Sequence, residues 1–213
     1  MAPKLYYFDG RRGDAEAIRM LFKDTGIAYE DVGVSEETFK QMDAAGDLLF
    51  GQLPMVDFDG LKLVEQPAIL EHIAQMADKA GKGTNKYLGE NENERSTARS
   101  LCSAACDLRR ESLAMRKEGS NDAKRKFKAD VLPVWFAALD KLAVASNDED
   151  KGLGAGVHFT FGDMAIFEAV NAITVALNLS VIRPYPNLKE WHDKAVHRAA
   201  IEVHIQGRDD APW

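Results

Sequence analysis

The chain has 213 residues, enough for one domain or two modest ones with a proper core. It is 46% hydrophobic and 29% charged, which is a folded composition rather than a disordered one. Asp plus Glu number 34 against 27 Lys plus Arg, so the net charge of −7 gives no cationic surface for nucleic acid or an anionic membrane, and neither is expected as a partner. Two cysteines cannot build a disulfide framework.

Lys4, Asp9, Arg11, Arg12 and Asp14 interrupt any apolar leader, so the cytoplasm is the expected compartment. The most apolar stretch, Met164 to Ile182, carries Glu168, Asn171, Thr174 and Asn178. It reads as a helix buried inside protein rather than as a membrane span.

In chain order, Lys4 to Phe8 is short and aromatic and predicts a strand that ends at Asp9-Gly10. From Asp14 the period changes. Ile18, Leu21, Phe22 and Thr25 share a helical face, and Gly26 stops the helix. Ala28 to Val34 suggests a second strand. Met55 to Phe58 and Leu61 to Val64 flank Asp59-Gly60, a strong hairpin signal. Pro67 opens a helix whose buried stripe is Ile69, Leu70, Ile73 and Ala77. The expected order is β-α-β, an irregular stretch, then β-β-α.

Ala80 to Glu92 has a linker composition, and no strand pattern follows it. Leu101, Ala105 and Leu108 mark one helix. Phe127, Val131, Trp135, Leu139 and Leu142 mark another, kinked or restarted at Pro133. A third runs from Thr160 to about Leu179. A fourth runs from Leu188 to about Ile201, with Trp191 and Ala195 inward. Thr160 and Asp163 have capping-box spacing, and Phe159 and Met164 can staple the helix start. The picture is a small α/β domain followed by a larger all-helical one.

This plan, with its motifs, resembles the cytosolic glutathione transferases. Lys4 to Arg11 is similar to the first strand and turn of the tyrosine-type classes (alpha, mu and sigma), and Ala15 to Arg19 to their first helix. Leu49 to Val56, Asp59-Gly60 and Leu63 to Leu70 resemble most closely the glutathione-binding core of the alpha class. Glu94-Arg95 and Asp107-Leu108 resemble the first helix of the second domain. Gly156, Thr160 and Asp163 resemble the family's capping box. The resemblance implies a thioredoxin-like, glutathione-binding α/β domain over 1–80, a linker over 81–88 and an all-helical domain over 89–213. It also implies a homodimer, glutathione as co-substrate with no cofactor or metal, and a hydrophobic electrophile as second substrate.

A thiol with a pKa near 8.5 is mostly protonated at neutral pH, so the site must stabilise a thiolate. Strand alternation selects one of Tyr6 and Tyr7 without saying which; the resemblance implies Tyr7 as hydrogen-bond donor to sulfur. It implies a cis bond at Leu53-Pro54 that presents the Leu53 backbone to the cysteinyl group, with Gln52 contacting the tripeptide. Glu65 would take the γ-glutamyl ammonium. Gln66 stands where the family has Ser or Thr, at a helix N-terminus suited to the γ-glutamyl carboxylate. Asp107 would reach the partner's glutathione, or else form a surface ion pair. Asp130 replaces an arginine expected near the partner's site.

Arg11-Arg12-Gly13-Asp14 carries one inserted residue relative to the family pattern. Arg12, or else Arg11, is expected to supply positive potential at sulfur, and Asp14 to cap the first helix. Family position suggests Phe8, Asp9, Gly10, Leu108 and the tail near Trp213 as walls of an apolar electrophile pocket. Cys102 and Cys106 read as reduced thiols, and the scattered histidines offer no metal pair. A non-catalytic ligand-binding or structural protein like the S-crystallins, or a sigma-like prostaglandin isomerase, are alternative functions.

Overall fold

The structure, a computed structural model, describes residues 1–83, 86–143, 151–154 and 158–207. Gly156 and Trp213 lie outside the described residues. Among those described, one sheet has four strands in the order β2-β1-β3-β4: β1 Lys4–Phe8, β2 Glu30–Val34, β3 Met55–Phe58 and β4 Leu61–Val64. β1 and β2 are parallel, and β1-β3 and β3-β4 are antiparallel. Asp59 and Gly60, both at positive φ, close the β3-β4 hairpin so that Phe58 faces Leu61.

The register sorts side chains by face. Leu5, Val56 and Leu63 lie in one cross-strand row and join the main core. Tyr6, Met55 and Val64 lie in the adjacent row and form a small second core with Leu48, Phe39 and Met42. This alternation puts Tyr7 with the main core and Tyr6 on the opposite face.

Helix α1 spans Glu16–Thr25 and ends at Gly26 in the left-handed conformation. It starts after a 3-10 turn, Gly13–Ala15. No side chain caps it, so the expectation that Asp14 caps this helix is corrected here; the Asp14 carboxylate is used elsewhere. Helix α2, Glu36–Ala44, occupies the stretch expected to be irregular. It buries no residue fully and is held at its start by Ser35, which accepts from the Thr38 N–H, so it leaves little hydrophobic pattern to read. Helix α3, Gln66–Ala80, has Pro67 in its first turn and buries Ile69, Leu70, Ile73 and Ala77.

The second half is helical: α4 Glu92–Glu118, α5 Asn121–Lys126, α6 Leu132–Leu142, α7 Phe161–Leu177, α8 Pro186–Val196 and α9 Ala199–Gly207. Pro133 does restart a helix. A π-turn at Phe127–Val131 precedes it, closed by the Leu132 N–H donating to the Phe127 carbonyl. The widened turn accommodates a proline ring that a regular α-turn would bring against a carbonyl. The helix expected over 188–201 is two helices. The break at His197 leaves Arg198 buried against Asp24 of α1, its Nη2 donating at 2.8 Å, with its guanidinium 4.5 Å from the Phe159 ring centroid.

Helix α7 is the centre of the molecule, packed along α4 and against α1, α3 and α8. Every residue from Phe161 to Thr174 is buried. Its capping box is formed: the Thr160 hydroxyl accepts from the Asp163 N–H, and the Asp163 carboxylate accepts from the Thr160 N–H at 2.8 Å. Asp163 also accepts from the Leu153 N–H at 2.6 Å, tying the preceding loop to the helix start.

Candidate functional site

A cleft of about 450 Å³ lies between the first domain and helices α4 and α7. Four segments of the first domain reach it: the end of β1, the turn after it, the loop entering β3, and the start of α3. Of the residues expected at the site, Tyr7, Gln52, Leu53, Pro54, Glu65 and Gln66 line this cleft. Arg12 and Asp107 do not. Arg12 is buried; Arg11, Arg109, Arg110 and Arg116 are the guanidinium groups on the wall, and Arg19, which is not on it, lies 5.8 Å from the Tyr7 ring centroid. Asp107 is exposed and accepts from Arg110 at 2.8 Å, one turn along α4.

Tyr7 is 8% exposed, and its hydroxyl oxygen accepts from the Asp14 N–H at 3.1 Å. That leaves the phenolic proton to be donated into the cleft. Burial, with the Asp14 carboxylate, pushes the Tyr7 pKa up, so the phenol stays neutral and serves as a donor. The turn that supplies the N–H needs glycine. A Cβ on Gly13 would stand 2.1 Å from the Tyr7 oxygen, at a φ of +45 that side chains disfavour.

The loop from β3 reaches the cleft with a cis Leu53-Pro54 bond. Glu65 holds a positive φ of 68 just before α3, an uncommon conformation for a residue with a side chain, and it is exposed on the cleft wall. Gln66 is buried, and its amide donates to the Asp14 carbonyl at 2.7 Å. Its side chain therefore fastens the start of α3 to the Gly13–Asp14 turn. The first-turn N–H groups of the 15-residue helix remain as its positive end.

Asp14 faces across the cleft. Its carboxylate accepts from Arg109 Nη2 at 2.8 Å and Nε at 3.0 Å, and Arg109 also contacts Glu168 of α7. Glu168 is fully buried, and burial pushes its carboxyl up against the pull of Arg109. Burial draws Arg109 down, but its two carboxylate partners more than offset this and keep it cationic. The bridge therefore offsets part of the charge that Asp14 would otherwise direct at an anion beside Tyr7.

Phe8 lines the cleft, while Leu108, fully buried, does not, and neither do Asp9 and Gly10. The wall is less apolar than expected: α4 contributes Arg110, Ser112, Leu113, Arg116 and Lys117. Cys106 is a half-buried thiol on the same wall, pushed up by burial, and Cys102 is buried. Among the described residues, no group of three or more His, Cys, Asp and Glu side chains could hold a metal ion. No helix described is long and apolar enough to cross a membrane.

Gly13, Arg109 and Glu168 were not singled out for the site from sequence. A lone Glu in the apolar run of α7 was the available signal, because a carboxylate on an all-buried helix needs a cation.

Residues 3–75 match the family model of the glutathione S-transferase N-terminal domain, and residues 107–208 match that of its C-terminal domain. A protein named glutathione S-transferase P from Caenorhabditis elegans is 30% identical over 98% of this chain and 94% of its own length. The chain belongs to the cytosolic glutathione transferase family. Its fold follows that membership: a solved Onchocerca volvulus Pi-class glutathione S-transferase superposes with a TM-score of 0.85 at 26% identity, covering 99% of this chain and 95% of that one. Mouse glutathione S-transferase A4 is 42% identical, but over 81 residues, 38% of this chain and 36% of its own length. The family is therefore plain from both halves of the transferase, while likeness to one class is not uniform along it.

Proposed function

We propose that this transferase joins the glutathione thiolate to hydrophobic electrophiles, in the cytosol and as a homodimer. The observation that carries the reading is the Tyr7 hydroxyl: neutral, half-satisfied by the Asp14 N–H, and edged onto the cleft. Its proton stabilises the sulfur anion, whose lone pair then forms the C–S bond and expels a halide or adds to a double bond. The Leu53 backbone pairs with the cysteinyl unit, with Gln52 alongside. Glu65 takes the γ-glutamyl ammonium, and the α3 N-terminus takes the γ-glutamyl carboxylate. Arg11 on the cleft wall, or Arg12 next to it in the same turn, adds positive potential, since Arg109 is shared between Asp14 and Glu168.

Asp107 serves the partner's glutathione across the dimer, an arrangement its exposure on α4 permits. The alpha-like pattern rests in this reading on the motifs of the glutathione site. The test is retention on immobilised glutathione, followed by conjugation of an activated aryl halide, with sedimentation for the dimer. Retention without conjugation selects the non-catalytic, S-crystallin-like alternative. Failure of both overturns the reading.

A further inference from the structure

The turn that meets Tyr7 has little local support. Gly13 opens it at a φ of +45, and neither the 3-10 turn Gly13–Ala15 nor α1 carries a side-chain cap. A glycine without a following cap leaves the next peptide free to swing. Asp14 is instead held from three sides. Its N–H donates to the Tyr7 hydroxyl at 3.1 Å, its carbonyl accepts from the Gln66 amide at 2.7 Å, and its carboxylate accepts from Arg109 Nη2 at 2.8 Å. Gln66 is 7% exposed and stands 52 positions further along the chain. Only the two backbone dihedrals of Asp14 separate the carbonyl it holds from the N–H that faces Tyr7. Arg109 grips the far end of the Asp14 side chain, whose own rotamers lie between that grip and the backbone. Gln66 therefore sets the N–H more directly.

Resting on the transferase reading, we propose that Gln66 is a positioning residue for Tyr7: through the Asp14 main chain it fixes the N–H that the phenol oxygen accepts, and so aims the phenolic proton at the glutathione sulfur. A phenol has one proton, which lies near the ring plane on one side of the C–O bond or the other. A donor held against the oxygen on one side leaves the other side for that proton. The same donor draws electron density from the oxygen, which strengthens the bond the proton gives to a thiolate. No bond to Gln66 forms or breaks. Where the resemblance puts a hydroxyl for the γ-glutamyl carboxylate, this chain has an amide turned to the turn that serves the tyrosine. One side chain thereby joins the start of α3, where the tripeptide is recognised, to the group that activates its sulfur.

The experiment is a double-mutant cycle read on the thiol of bound glutathione, titrated by thiolate absorbance, with glutathione affinity and kcat measured alongside. Gln66→Met keeps the length of the side chain and loses the donor. It should raise the pKa of the bound thiol by about 0.3–1 unit and lower kcat below that pKa roughly 2- to 10-fold, as for one neutral hydrogen bond. Glutathione affinity should stay nearly unchanged. In the Tyr7→Phe background the same substitution should leave the thiol where Tyr7→Phe alone puts it, because two residues that act through one bond are not additive. Gln66→Asn, one methylene shorter and out of reach of the Asp14 carbonyl, should repeat both results and replaces Gln66→Met if that variant folds poorly. A thiol that these variants leave unmoved overturns the inference, and a loss of glutathione affinity with it would make Gln66 a ligand of the tripeptide. A shift of equal size in both backgrounds also overturns it, since Gln66 would then act on the sulfur without Tyr7. Either result leaves the transferase intact. A wild-type protein that conjugates nothing overturns the transferase reading and this inference with it.

Discussion

Tyr7→Phe removes one oxygen and little else. The ring keeps its edge contact with Phe8 at 5.6 Å between centroids and its place in the main core. Two interactions go: the donor to sulfur and the acceptor for the Asp14 N–H. A hydrogen bond to a charged partner is worth about 1.5–3 kcal/mol, and each pKa unit is about 1.4 kcal/mol. The bound thiol should therefore rise by about 1–2 units, and kcat near neutral pH should fall roughly 10- to 100-fold, within reach of the loss on removing a single oxyanion donor. Glutathione affinity should change little, because the Leu53 backbone and the α3 N-terminus remain. The stranded Asp14 N–H should cost about 1 kcal/mol of stability. Thiolate absorbance of the glutathione complex, titrated with pH, reads the shift directly. Tyr6 is the control, since it packs on the opposite face with Met55 and Val64. A Tyr7→Phe enzyme whose thiol titrates like wild type, or a Tyr6→Phe enzyme that carries the shift instead, would refute the assignment.

Three further outcomes are expected. Arg109→Met leaves the fully buried Glu168 without its cation and should cost about 3–5 kcal/mol in chemical denaturation; adding Glu168→Leu should recover much of this, and no recovery would mean that the bridge to Asp14 dominates. Thr160→Ala should cost about 0.5–2 kcal/mol through the α7 cap, without altering glutathione affinity of the folded protein, and a wild-type melt would contradict it. The pH dependence combines buried groups of opposite sign. Burial pushes Asp163 up to about 6, so the native state holds the extra proton between about pH 4 and 6 and stability falls as pH rises through that window. Burial pushes His192 down to about 4, so the unfolded state holds the extra proton and stability rises with pH between about 4 and 6.5. The two slopes oppose each other in wild type, and Glu168, also pushed up by burial, adds to the Asp163 side. His192→Leu should expose the Asp163 slope as a melting temperature that falls from pH 4 to 6, and a flat profile in that variant would be inconsistent with a protonated Asp163.

Short-range features were legible from residues because their causes are short-range. The β3-β4 hairpin follows from two residues that tolerate positive φ, the end of α1 from Gly26, and the α7 cap from a hydroxyl and a carboxylate three residues apart. Motif resemblance singled out Tyr7, Gln52, Leu53, Pro54, Glu65 and Gln66, and all six line the one cleft. Alternation showed that Tyr6 and Tyr7 part ways without saying which turns inward; that depended on which face of the sheet α1 and α3 cover. Asp14 went against its local signal, which was to cap α1. Locally, an aspartate before a helix is a cap, but its carboxylate pairs with Arg109, 95 positions away, the same guanidinium that meets the buried Glu168. Helix spacing is a property of neighbouring residues. Which buried carboxylate meets which guanidinium is settled when α4 packs against α7 and closes over the first domain, since removing those charges from water is costly unless they pair.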